Sequence, residues 1–209
     1  MSLINKLNKS RSVILNIVEK RGFDIKKYSN FTLQELDVMI SSTSIKNTNT
    51  IGPLDMIFDN KNKLIVKFII NQKLRITNLT NLIQDIIATQ LQENDTLILI
   101  TNDKLNSDNF DDFLETIYQK NKIFIQIFWI ETIMRDITQH FLVPNHEIID
   151  LDEKETLLEK YNLTTYSQLP IILKKDPIAK IYGGKNGDVF KITRQSETSG
   201  EYITYRYCQ

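Results

Sequence analysis

Asp55, two positions after Pro53, and Lys67 on the following β-rich run come nearest to a catalytic set in this sequence. A proline, an aspartate and a lysine on adjacent strands are parts of a metal-dependent nuclease site. Such a site needs two carboxylates, so that a divalent ion is held, activates water and stabilises the leaving oxygen. Ile65 stands two positions before Lys67, where the second carboxylate is required. A metal would have one ligand, and a nuclease is the disfavoured alternative. Asp55 then reads as a strand-end carboxylate and Lys67 as an outward-pointing surface lysine.

The other candidates are weaker. His140 and His146 are six apart across Pro144, so they do not share a helical face as a zinc pair at i, i+4 does. Asp108, Asp111 and Asp112 fall at a predicted helix start, where the macrodipole favours negative charge without a metal. Gly183-Gly184-Lys185-Asn186-Gly187 follows a helix and precedes a strand, the reverse of the order that aims N–H groups at phosphate. No catalytic residue, metal or cofactor is expected.

The elements that carry these residues read as two regions. Three of the four prolines and four of the six glycines lie after residue 143, and we place domains at 1–139 and 140–209. The first alternates helical and strand patterns as a mixed α/β domain does. A helix over 3–21 ends at Gly22. A second opens with Thr32 and Glu35 as a capping box, with Phe31 and Leu36 at staple spacing. Runs 54–58 and 64–70 predict an antiparallel hairpin. A helix carrying Leu79, Leu82, Ile83 and Ile86 precedes an apolar strand at 96–101, the expected sheet centre. Ser107 can cap a further helix, and 123–128 returns as a buried strand.

In the second region Asp152 and Glu155 have capping-box spacing before Leu157, Leu158 and Tyr161. Asp176-Pro177 places an N-cap before a proline at N1, and Gly183-Gly184 ends that short helix. Runs 188–194 and 201–207 predict a hairpin around a loop in which Ser196, Glu197 and Thr198 can bond the backbone and Gly200 can take a positive φ. Tyr202, Ile203, Tyr205 and Tyr207 put aromatic and aliphatic surface on both faces of the last strand. That pattern suggests cover by another chain.

Composition bounds the partners. With 26 basic and 26 acidic residues the net charge is zero, without the electrostatic footprint of an autonomous nucleic-acid binder. One cysteine, Cys208, allows no internal disulfide, and no run of about 18 apolar residues or signal-type N-terminus is present, so a soluble intracellular protein with no membrane partner is expected. The excess of Ile, Asn and Lys reads as AT-rich coding.

Several separated signatures carry a family resemblance: His140-Phe141-Leu142-Val143-Pro144-Asn145-His146, Leu169-Pro170, Asp176-Pro177-Ile178-Ala179, Tyr182-Gly183 with Lys185 and Gly187, and Ser196-Glu197-Thr198-Ser199-Gly200 with Tyr202, Tyr205 and Arg206. In order and spacing they resemble the fifth subunit shared by eukaryotic nuclear DNA-directed RNA polymerases, whose C-terminal half corresponds to a smaller component of the archaeal polymerase. Large DNA viruses carry versions too. Residues 1–139 resemble the family's jaw domain in element order and in Lys20-Arg21-Gly22-Phe23.

The resemblance implies a non-catalytic polymerase subunit with two domains. A mixed-sheet jaw flanked by helices would lie near downstream duplex DNA, and a small C-terminal α+β domain would anchor to the largest subunit. We expect Asp176, Pro177, Tyr182, Ser196, Glu197, Thr198, Gly200, Tyr202 and Arg206 to form the partner surface. Lys104, Asn106 and Ser107 would lie near DNA and position its phosphates without reading sequence. The location implied is the nucleus in a cell, or a virion or cytoplasmic factory for a virus. Where the family commonly has arginine or lysine this chain has Ile171, Asn186, Gln195 and Glu201, losses that favour protein over nucleic acid as what the C-terminal domain holds. A free regulatory binding module is the remaining alternative.

Overall fold

The computed structural model describes residues 3–29, 31–42, 52, 54–60, 62–69, 76–103, 108–196 and 200–209, and divides into two compact units, Met1–Arg135 and Asp136–Gln209.

In the first unit, helix α1 (Leu3–Lys20) buries Leu7, Ile14, Ile17 and Val18, one face at helical spacing. It stops where Gly22 takes φ +85° and its N–H bonds the Glu19 carbonyl at 2.8 Å. A short helix that the sequence pattern does not predict, α2 (Lys26–Ser29), follows Asp24, whose carboxylate accepts from the Lys26 N–H at 2.9 Å. Helix α3 (Leu33–Ser42) opens on the capping box: the Glu35 carboxylate accepts from the Thr32 N–H at 2.8 Å, and the Thr32 hydroxyl accepts from the Glu35 N–H at 3.3 Å.

Strands β1 (Met56–Asp59), β2 (Lys63–Ile69), β3 (Thr96–Thr101) and β4 (Phe124–Trp129) form one sheet in that order. The first pair is the antiparallel hairpin; the next two pairs are parallel and so need crossovers, supplied by α4 (Ile76–Gln90) and α5 (Asp108–Asn121). Ile65, Leu97, Leu99 and Ile125 form a cluster with Leu79, Ile83 and Ile86 of α4 and Ile117 of α5. The opposite face carries buried Leu64, Val66, Ile98 and Ile100, and the end of α1 reaches it through Arg21, whose guanidinium donates to the Gln126 side chain at 2.6 Å. The centre is shared: β2 is as fully enclosed as β3, because both have neighbours on each side.

The second unit holds a four-stranded sheet of order β5-β7-β8-β6, with β5 at Asn145–Ile148, β6 at Ile171–Ile172, β7 at Val189–Ser196 and β8 at Gly200–Cys208. The expected hairpin is its middle. Strand β5 pairs antiparallel with β7, and β6 pairs parallel with β8. One face packs on α6 (Leu151–Tyr161), with Leu157 against Ile149 and Val189; the other packs on α7 (Pro177–Tyr182), with Ala179 beside Ile172, Phe190, Ile192 and Cys208.

One expected cap moves. Asp150, not Asp152, is the N-cap of α6, its carboxylate accepting from the Glu153 N–H at 2.9 Å. Two overlapping Asp-x-x-Glu spacings compete there. The earlier one lets buried Ile149 lead directly into the helix and Leu157 face the core. Among the described residues no helix is long and apolar enough to cross a membrane.

Candidate functional site

Asp55 and Lys67 do meet, but as a structural pair. The register that sets Met56 opposite Val66 brings Asp55 beside Lys67, and Lys67 Nζ lies 3.7 Å from Asp55 Oδ2 with both side chains almost wholly enclosed. The expectation of an outward-pointing lysine is overturned: Lys67 is 5% exposed and shares its sheet face with Ile65 and Ile69. Asp55 also accepts from the Gly52 N–H at 2.7 Å and the Phe68 N–H at 3.3 Å, so its oxygens hold the approach to β1 closed. Burial raises the Asp55 pKa, with Lys67 and the two amides opposing, and burial lowers the Lys67 pKa against the pull of Asp55. Ile65, in the position of the missing second carboxylate, sits inside the apolar cluster. No group of three His, Cys, Asp or Glu suited to a metal occurs among the described residues.

The histidines do not converge. His140 is exposed, its Nδ1 accepting from the Leu142 N–H at 3.2 Å. His146 is buried on β5 with Nδ1 2.8 Å from the Pro144 carbonyl oxygen, and desolvation holds its pKa below the ordinary value. The glycine loop closes on itself. Gly183 takes φ +74° as the left-handed cap of α7, and a Cβ on Gly184 would stand 2.7 Å from Phe190 Cζ. The Asp188 carboxylate accepts from the Lys185 N–H at 2.7 Å, and Lys154 Nζ donates to the Gly187 carbonyl at 3.2 Å, so the amide row of a phosphate cradle is not formed. Asp108 opens α5 with Asp111 and Asp112 exposed behind it.

The expected partner residues have two kinds of place. Asp176 accepts from the Ile178 N–H at 2.8 Å and the Ala179 N–H at 3.4 Å, and Pro177 occupies N1, where no intrahelical donor is lost. Tyr182 ends α7, half-buried against the cluster around Phe190, its ring 6.4 Å from that of His146. These three build the scaffold. Ser196 and Gly200 are the last ladder pair of the hairpin, with Gly200 at φ +71°. Glu197 and Thr198 lie outside the described residues, as do Lys104, Asn106 and Ser107, including the expected Ser107 cap.

Tyr202 and Arg206 belong to the surface. On one face of the hairpin Arg194 stands opposite Tyr202 and Phe190 opposite Arg206, with His146 of β5 opposite Ile192. Arg206 Nη1 donates to the Ile171 carbonyl at 3.1 Å. The aromatic excess of β8 is mostly internal: Tyr205 and Tyr207 pack on the cluster of Ile149, Leu157 and Val189 beside α6. Only the outer part of the strand stays bare, with Tyr202 56% and Ile203 41% exposed on opposite faces. Arg194, which the sequence pattern does not assign to this surface, joins it only through the pairing of β7 and β8. Its strand neighbours in sequence give no such signal.

Residues 135–208 match the family model for RNA polymerase Rpb5, C-terminal domain. Over 212 residues, covering 100% of both chains, the sequence is 31% identical to the DNA-directed RNA polymerases I, II, and III subunit rpabc1 of Dictyostelium discoideum. It is 46% identical over 85 residues, 41% of this chain and 40% of the other, to the corresponding RPABC1 subunit of Caenorhabditis elegans. A further similarity, 47% over 72 residues, covers 34% of this chain and 84% of subunit Rpo5 of the DNA-directed RNA polymerase of Sulfurisphaera tokodaii. The full-length similarity and the C-terminal match together establish that the chain belongs to the Rpb5 (RPABC1) family, the non-catalytic shared subunits of DNA-directed RNA polymerases.

Proposed function

We propose that residues 140–209 form an assembly domain that anchors the chain to the largest polymerase subunit, and that residues 1–139 form a jaw beside downstream duplex DNA. The bare outer half of the β7–β8 hairpin carries the first part. It projects past the cover of α6 and α7 and exposes an aromatic and an aliphatic side chain on opposite faces of one strand, the surface another chain covers at an interface. We assign contact and scaffold roles to Asp176, Pro177, Tyr182, Ser196, Glu197, Thr198, Gly200, Tyr202 and Arg206.

The jaw assignment is supported by the parallel β2-β3-β4 arrangement, because the carboxyl ends of parallel strands are where open α/β sheets meet ligands. Lys104, Asn106 and Ser107 follow the carboxyl end of β3 and would touch phosphates as positioning contacts. The chain would act in the nucleus of a cell, or in the virion or factory of a large DNA virus; the relatives named above are cellular, which favours the nucleus. The experiment is co-purification of the tagged full chain from its native source with mass spectrometry of what accompanies it. The largest polymerase subunit is expected in the wild-type eluate and reduced for Tyr202→Ala/Ile203→Ala; its absence from the wild-type eluate refutes the assembly role.

A further inference from the structure

The face of the hairpin that holds Tyr202 also holds Arg194 and Arg206. Neither Arg194 nor Arg206 forms an ion pair among the described residues; Arg206 spends one donor on the Ile171 carbonyl at 3.1 Å, and Arg194 is exposed. Among the described residues, the nearby carboxylates bond elsewhere or face away. Asp176 caps α7. Glu147 lies on the other side of β5 from His146 and accepts from Asn145 at 2.8 Å. Glu201 lies on the other side of β8 from Tyr202, where Gln195 donates to it at 3.4 Å. At the buried His146 ring the charge of Asp176 opposes those of both arginines, and the ladder sets Arg194, Arg206 and His146 over the same strip of sheet.

We infer that this strip, bounded by Arg194 and Arg206, is a receptor for carboxylate side chains on an acidic segment of another polymerase subunit. The inference rests on the assembly role proposed above and names the chemistry of that contact. An arginine fork accepts a carboxylate through paired N–H donors, and arginine and tyrosine together are the residues enriched where interfaces concentrate their energy. A nucleic-acid backbone fits less well. Such a backbone draws on a broad basic field, whereas the chain has zero net charge and Lys191, on the opposite face of β7, already pairs with Glu153 at 4.0 Å. Exposed Tyr202, on the same face as the arginines, supplies apolar surface that a protein segment would cover.

The test uses the full chain carrying Arg194→Glu, Arg206→Glu or Arg194→Lys, each checked for an unchanged melting profile, with co-purified polymerase quantified at rising salt. Charge reversal is expected to lower recovery at least about tenfold at physiological ionic strength, while Arg194→Lys retains more than either reversal. Arg206→Glu also removes the bond to Ile171; if it unfolds, the exposed Arg194→Glu alone decides. Wild-type recovery from both folded reversals, with binding still lost in Tyr202→Ala/Ile203→Ala, would overturn the carboxylate receptor and leave the assembly role standing. Release of the polymerase by nuclease digestion would identify a nucleic-acid occupant instead. Failure of the wild-type chain to co-purify would remove both readings.

Discussion

Replacing Gly184 by alanine strains the second unit at one definable contact. The added Cβ would stand 2.7 Å from Phe190 Cζ and 2.8 Å from Cε2, with the Ala179 carbonyl oxygen 3.3 Å away. Carbon pairs rest at about 3.5–4.0 Å, so roughly an ångström of movement is required. Phe190 is fully buried among Ile172, Ala179, Ile192, Cys208 and Tyr182, so its ring can move only by displacing core neighbours. Overpacking of this kind costs about 1–3 kcal/mol, and the reduced freedom of the unfolded alanine chain returns about 0.4–1, leaving a net loss of about 1–2 kcal/mol. Hydrogen exchange of peptides spanning β7 and β8 in the full chain reads this unit separately from the first. Protection should fall about 5- to 30-fold there and stay constant in β2 and β3. Phe190→Leu removes the clashing atoms and alone costs about 1–2 kcal/mol, so the double variant should be more stable than the two losses summed, by about 1–2 kcal/mol of coupling. Unchanged protection in Gly184→Ala, or strict additivity, would refute the close packing of α7 on the hairpin.

Asp150→Ala should destabilise the second unit by about 1 kcal/mol while Asp152→Ala costs a few tenths, measured by urea unfolding, because only Asp150 receives the Glu153 N–H. Lys67→Met strands the Asp55 carboxylate and should cost the first unit about 3 kcal/mol at neutral pH. An acid whose pKa is raised in the folded state gains stability as pH falls, so that loss should shrink on acidification, and Asp55→Asn/Lys67→Met should recover part of it. For His146, held below its unfolded value near 6.5, the unfolded chain takes up a proton first as pH falls through that value. Stability of the second unit should therefore decline below about 6.5, and His146→Gln should flatten that slope in thermal melts across pH.

Local chemistry was readable in the sequence where one short segment decides its own conformation. The Thr32–Glu35 box, the Asp176-Pro177 start, the Gly22 and Gly183 stops and both hairpins lie within a few residues of the groups that satisfy them. Apart from the α6 cap and α2, which are local, the failures involve partners distant in the chain. Strands β5 and β6, of four and two residues, have no periodicity long enough to register and exist because β7 and β8 offer free edges. Lys67 looked like a surface residue because lysine usually is one; its burial follows from the antiparallel register that supplies Asp55. The tyrosines of β8 suggest that another chain covers one face or the strand edge, and α6 accounts for Tyr205 and Tyr207. On the face proposed for docking, the sequence pattern assigns Tyr202 and Arg206, and Arg194 joins them only through the ladder.

The order of strands across the second sheet sets an order of events during synthesis. Both outer strands, β5 and β6, and both helices leave the ribosome before the β7–β8 hairpin against which they must pair and pack. Until Val189–Cys208 is made, two strand edges and the apolar sides of α6 and α7 have nothing to close on, a state exposed to mispairing and chaperone capture. The hairpin itself is local and forms quickly once present, so folding of this unit is delayed and then abrupt. The segment that completes the fold is also the one that presents Arg194, Tyr202 and Arg206. A chain lacking β8 therefore lacks the pairing its sheet needs together with the residues proposed for docking.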